Sequence, residues 1–279
     1  MTTGDELLLL AIVPGRRRIR LRAGDRLRFA LRAAELADLG KAGRIAVGSR
    51  RIEVLDARHV GDRRLKNVLR ALGAADSPPG LRDWLRRTPR SLTVEYLSRL
   101  EDQKIVRVRR RRDAGGRTRH DILSVDLPRR RALLDRLDSV VSPDTATPTA
   151  DSDSATSPAD RDLTLTALAQ VADLGRAVYP GLRGISNRRR MAALTATIGS
   201  APATIGASPA ADEELAAALT TGADVLTHRL LNELSDLYAD VTTGGHGLSH
   251  DLDPGGWSGP GGGGGHGHHG GGHGDSGHG

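Results

Sequence analysis

Arg28 and Arg32 stand four residues apart within the stretch Gly24 to Ile45, so any helix formed there carries both on one face. A guanidinium is a planar fork that donates two parallel hydrogen bonds to a phosphate or carboxylate. Two such forks side by side repel mildly, which leaves solvent screening or a bridging anion as the ways to hold them. The plain alternative is a solvated edge on a core helix. A denser set follows: Arg107, Arg109, Arg110, Arg111, Arg112, Arg117 and Arg119 flank the turn-forming Asp113-Ala114-Gly115-Gly116. Seven of the ten histidines fall in a Gly-rich tail, and His59, His120 and His228 are scattered.

Other chemistry is missing from the chain. It has no cysteine, hence no disulfide, thiolate metal site or cysteine nucleophile, which fits a reducing cytoplasm. No G-x-S-x-G elbow, phosphate-binding P-loop, H-E-x-x-H or strand-bounded G-x-G-x-x-G is present. The sequence thus points away from an enzyme and implies no cofactor. The tail imidazoles lack fixed spacing, so no dedicated metal site is assigned, although such a tail can hold a divalent ion adventitiously.

The elements that position the arginines follow from periodicity. Leu27, Leu31, Ala34 and Leu39 recur at helical spacing, Gly24 and Asp25 suit a start, and Gly40 and Gly43 suit an end. Leu7 to Val13 reads as a buried helix or strand, too short to span a bilayer. It follows Asp5-Glu6 rather than the basic region of a signal peptide. Residues 44–47 and 51–55 alternate around Gly48-Ser49-Arg50 as a short hairpin. Leucine spacing predicts helices around 65–72, 81–85 and 89–103, with Trp84 as a core anchor. The period then switches to strand from Lys104 to Arg112 and from Arg117 to Asp126, so that a helix precedes a basic ribbon in the outline of a winged helix. Helices resume after Pro128, from Asp160, over 188–198 and from Asp212.

Composition divides the chain. Residues 1–142 hold 34 Lys and Arg against 18 Asp and Glu, whereas residues 143–279 hold 7 against 16. The net charge of +7 therefore conceals a basic half, which suits an anionic partner such as nucleic acid or lipid head groups. The boundaries read as a basic part over 1–141, a Ser/Thr/Asp/Pro linker or insert over 142–159, a helical part over 160–241 and a disordered Gly/His tail over 242–279.

Several strings in order resemble the Golgi phosphoprotein 3 family. They are Glu6 to Leu10, Leu31-Arg32 with Glu35 to Leu39 and Gly43-Arg44-Ile45, and the 52–56 strand. Leu65 to Leu72, Asp83-Trp84-Leu85, the 96–106 helix-to-strand junction and the 161–174 helix complete the set. The likeness covers roughly residues 4–198, loosely to about 240, outside the insert and the tail. Ala-, Arg- and Gly-rich usage is similar to that of GC-rich bacteria, and what the resemblance implies is a bacterial, actinomycete-type member.

The resemblance implies a mainly α fold, a compact multi-helix domain with short β-hairpins, including the basic winged-helix-like one. It also implies a shallow pocket for phosphatidylinositol 4-phosphate. Arg32 matches the family's anchoring-helix arginine and Arg90 is the counterpart of a later one; with Arg28 they are the expected phosphate ligands. Position 23 is Ala where the family's Trp falls, and the next family arginine falls near Thr93. The 107–119 arginines are the expected electrostatic contact with an anionic phospholipid surface, at on the order of 1 kcal/mol each. The reading is a cytoplasmic, peripherally membrane-associated protein, with self-association through the hairpin implied by the family. Two alternatives stand beside it: a winged-helix DNA-binding protein, disfavoured because Glu95, Glu101 and Asp102 lie on the would-be recognition helix, and an interaction scaffold with a metal-binding tail.

Overall fold

Four consecutive leucines leave a helix no polar face, so a segment containing them must be enclosed on all sides. Helix α1 (Thr3–Ala11) is so enclosed: every one of its residues is buried. Fully burying each of Leu7 to Leu10 contributes about 1.5–3 kcal/mol. Its start is a reciprocal cap, in which the Asp5 N–H donates to the Thr2 hydroxyl and the Thr2 N–H donates to the Asp5 carboxylate. Burial of Asp5 and Glu6 is tolerated because each meets arginine. Asp5 pairs with Arg99 at 2.8 Å, and Glu6 with Arg136 and Arg161 at 3.2 Å each.

The computed structural model describes residues 1–15, 19–21, 25–48, 51–58, 60–112, 118–142, 158–182, 184–200 and 222–243. Around α1 these form β1 (Ile12–Val13), β2 (Arg20–Leu21), α2 (Asp25–Lys41), β3 (Ile45–Val47), β4 (Ile52–Val54), α3 (Arg63–Gly73), α4 (Leu81–Arg86) and α5 (Leu92–Asp102). Then follow β5 (Val106–Arg112), β6 (Thr118–Val125), α6 (Leu127–Val141), α7 (Pro158–Val171), α8 (Gly175–Val178), α9 (Ile185–Ser200) and α10 (Gly222–Thr243). All belong to one unit, Met1–Gly244. The fold is mainly helical, with three two-stranded antiparallel sheets among the described residues. None of the described helices is long and apolar enough to cross a membrane.

Helix α2 packs against α1, α5, α7 and α10 and supplies the centre of the core with Leu27, Leu31, Leu36 and Leu39. Two glycines there have different duties. Gly43 takes φ +64 and turns the chain into β3, as expected of a helix end. Gly40, expected to share that duty, lies inside α2, where any Cβ would overlap the Leu226 side chain of α10. It is an approach point between helices.

Other local departures also have physical reasons. Lys104, expected in the strand, turns the chain out of α5 with φ +60, so β5 begins at Val106. Pro89 and Arg90 precede α5, which starts at Leu92. Residues 12–13 and 20–21 pair as a ribbon that alternation over two residues cannot announce. Residues 143–157, 201–221 and 244–279 lie outside the described residues, and with them most of the expected insert, the start of the last helix and the Gly/His tail.

Candidate functional site

The N-terminal half of α2 and the turn that opens α5 bring three expected arginines to one patch. Arg28 and Arg32 project from the same face of α2, each with only 12% of its side chain exposed. Arg90, exposed in the turn before α5, comes within electrostatic reach of Arg28. Burial, and then the charge of Arg90, make the Arg28 guanidinium a weaker base than usual, against the opposing pull of Asp25. Arg28 lies 3.6 Å from Asp25 and over the face of Phe29.

Arg32 is held more tightly. Its Nη1 donates to Glu35 at 2.7 Å, and its guanidinium sits 5.5 Å from the centroid of the Trp84 ring. Trp84, expected as a core anchor, is half-buried and packs on the core edge while supporting this cation. Glu35 itself is fully buried, which a carboxylate tolerates only when paired. Its second oxygen takes Nε of Arg64, from the first turn of α3, and the Tyr96 hydroxyl also reaches it at 3.3 Å. Glu35 is thus the shared counter-ion that fixes two arginines.

Arg64 uses its outer edge differently, donating from Nη1 to Glu95 at 2.7 Å. Glu95 has nearly half of its side chain in solvent and also accepts from the Ser91 hydroxyl at 2.6 Å. Partial burial pushes the Glu95 carboxyl up, but the Arg64 and Ser91 hydrogen bonds and the charges of Arg64 and Arg32 hold it below its usual range. Arg64, Glu35, Glu95 and Trp84 were not expected as site residues. The leucines of α3 identify its buried face, and nothing in local spacing says that Arg64 meets α2. Arg64 does follow Asp62, whose carboxylate caps α3 by accepting from the Arg64 and Leu65 N–H groups, and that cap fixes where the side chain starts.

The expected hairpin residues lie elsewhere. β5 and β6 pair from Val106↔Val125 to Arg112↔Thr118, with a bulge that leaves Leu123 as the extra residue on β6. Arg107, Arg109, Arg110, Arg111, Arg112 and Arg119 are all exposed, while Arg117 lies outside the described residues. Arg109 and Arg111 share Asp121 at 3.7 and 3.1 Å, and Arg110 bonds Glu101 of α5 at 2.7 Å. Arg107 and Arg112 have no ion-pair partner among the described residues. An open groove of about 770 Å³ runs beside the ribbon, lined by Ile19, Leu21, Arg109, Arg111, His120 and Leu123 among others.

Residues 4–219 match the family described as Golgi phosphoprotein 3 (GPP34). The chain belongs to that family. The match covers the α2 and α5 patch, the basic hairpin and the stretch 142–159 that sequence reading set aside as an insert. Comparison with curated proteins found no match.

Proposed function

We propose that this member of the Golgi phosphoprotein 3 family binds the head groups of anionic phospholipids at a membrane surface, without catalysing a reaction. Arg28, Arg32 and Arg90 donate hydrogen bonds to the phosphate of a phosphatidylinositol 4-phosphate-like head group. The exposed arginines of β5–β6 draw the protein to the leaflet. The observation that carries the reading is the convergence of Arg28 and Arg90. Arg28 on α2 and Arg90 in the turn before α5 lie within electrostatic reach of one another, with Asp25 beside Arg28, and a phosphate dianion relieves that repulsion with hydrogen bonds from both. Family membership supports the same partner, the lack of cysteine fits a reducing cytoplasm, and the Ala/Arg/Gly usage is similar to that of GC-rich bacteria.

The hairpin supports a surface contact rather than an insertion. Its outward side chains are guanidiniums that stay solvated near phosphates, and attraction of this kind weakens as salt rises. Co-sedimentation with neutral, anionic and phosphoinositide-doped vesicles, beside a duplex-DNA gel shift at matched salt, tests the proposal. Binding should require anionic lipid, rise with phosphoinositide and fall on Arg28→Ala or Arg90→Ala. Duplex binding without vesicle binding would overturn it in favour of a nucleic-acid partner.

A further inference from the structure

The patch is nearly neutral as it stands. Arg28, Arg32 and Arg64 pair with Asp25, Glu35 and Glu95, so the charge of nearby Arg90 is about all that is left for a ligand. The three carboxylates differ in how firmly they are held. Glu35 is fully buried beneath two guanidiniums and cannot leave without stranding both. Asp25 is largely exposed and lies 3.6 Å from Arg28, beyond hydrogen-bond length. Glu95 alone combines a short hydrogen bond to an arginine with a side chain nearly half in solvent. Its oxygen occupies the outer edge of Arg64, where an incoming phosphate oxygen would accept. The inner edge of the same guanidinium is committed to Glu35.

We infer that Glu95 is a resident carboxylate occupying an anion seat on Arg64, and that a phosphomonoester enters the patch by displacing it. The inference rests on the reading that the patch binds phosphate. It adds Arg64 as a further ligand and Glu95 as the group that limits affinity. Displacement is sterically simple, because among the described residues Glu95 is hydrogen-bonded through its side chain to Arg64 and Ser91 alone, and it can swing into water. A phosphomonoester dianion carries more charge and more acceptor oxygens than a carboxylate, so it prevails on the guanidinium where a phosphodiester monoanion does not. The site therefore selects head groups with a terminal phosphate over those with only the backbone diester. Arg90 stands in the turn that opens α5 and Glu95 in the first turn of α5 itself, so one short segment carries both a ligand and its competitor.

The test compares the full chain with Glu95→Gln, Ser91→Ala and the double variant Glu95→Gln/Arg64→Ala. Two probes are used: phosphatidylcholine vesicles doped with a phosphatidylinositol monophosphate, and a soluble inositol monophosphate followed by calorimetry. Glu95→Gln should bind both probes about tenfold more tightly, the equivalent of one charge-assisted hydrogen bond released to the ligand. Ser91→Ala, which frees Glu95 without removing it, should gain about twofold by the same reasoning. Adding Arg64→Ala should erase the Glu95→Gln gain. Glu53→Gln on β4, an equal change in net charge at a carboxylate that pairs with no patch arginine among the described residues, should gain nothing. A gain that survives loss of Arg64, that Glu53→Gln reproduces, or that is confined to vesicles would overturn the inference, since each means long-range charge rather than a vacated seat. Equal binding by wild type and Glu95→Gln would overturn the displacement and leave the phosphate reading intact. Failure of both proteins on both probes, with melting curves showing them folded, would overturn both.

Discussion

The α2–α5 patch and the β5–β6 ribbon use the same side chain for opposite ends. In the patch, Arg28 and Arg32 are mostly withdrawn from water, seated over aromatic rings and tied to nearby carboxylates. In the ribbon, arginines on successive positions stand in solvent, and two of them share one aspartate. Desolvation makes the first set geometrically selective, because each donor already points in a fixed direction. Exposure makes the second set a diffuse field, strong in sum and indifferent to the shape of what it attracts. Counting arginines cannot separate these roles. The position of their counter-ions does.

The largest way to break this contrast is to remove the buried counter-ion. Glu35→Ala strands Arg32 and Arg64 and should cost about 3–5 kcal/mol of stability, read as a fall in the urea midpoint. A loss below about 1 kcal/mol would mean that the patch is as loosely held as an exposed ion pair. Next comes the ribbon. Replacing Arg107, Arg109, Arg111 and Arg112 with Ser should weaken binding to anionic vesicles by about a hundredfold and flatten its salt dependence, while the melting midpoint stays nearly unchanged. A stability loss like that of Glu35→Ala would erase the distinction.

A third experiment sharpens the contrast through pH. The Asp62 carboxyl is desolvated by partial burial, which raises it, but hydrogen bonds from Arg99 and from the Leu65 and Arg64 N–H groups bring it below its usual range. A depressed carboxyl stabilises the fold above its unfolded value of about 3.9, and that contribution is lost as pH falls through the folded value. Asp62→Asn keeps the cap of α3 but not the charge. Its urea midpoint should therefore fall less than that of wild type as pH drops from neutral into the range below the unfolded value of about 3.9. The smallest effect expected is that of Trp84→Leu, which removes the ring beneath Arg32. It should cost about 0.5–1 kcal/mol and leave the response of the ribbon variants to salt untouched.

Much of the architecture was legible because leucine spacing reports burial directly. Leu65, Val68, Leu69 and Leu72 marked α3, and Leu92, Tyr96, Leu97 and Leu100 marked α5 with the face that each buries. Gly43 announced its turn through the backbone freedom that it supplies. Gly40 misled because close packing against Leu226 and helix termination call for the same residue. At the patch, Arg28 and Arg32 were visible by spacing, and Arg90 through family likeness. Arg64 and Glu95 were not, since the ion pairs that define them join residues 29 and 31 positions apart. Periodicity describes one element at a time, and these side chains matter through the element opposite. Trp84 shows the same limit. Its apolar neighbours indicated packing, and only the approach of α2 shows that its ring also carries a cation.

The enclosure of α1 has a consequence for biosynthesis. This segment leaves the ribosome well before α7 and α8, two of the partners that cover it, which lie more than 140 residues downstream. Until those emerge, the all-leucine strip is covered only in part, by α2, α5 and α6, and the contacts that close over it span a long stretch of chain and are slow to form. Nascent-chain chaperones that recognise exposed leucine runs should engage it first at residues 7–10 and release it only after about Val178 has cleared the exit tunnel.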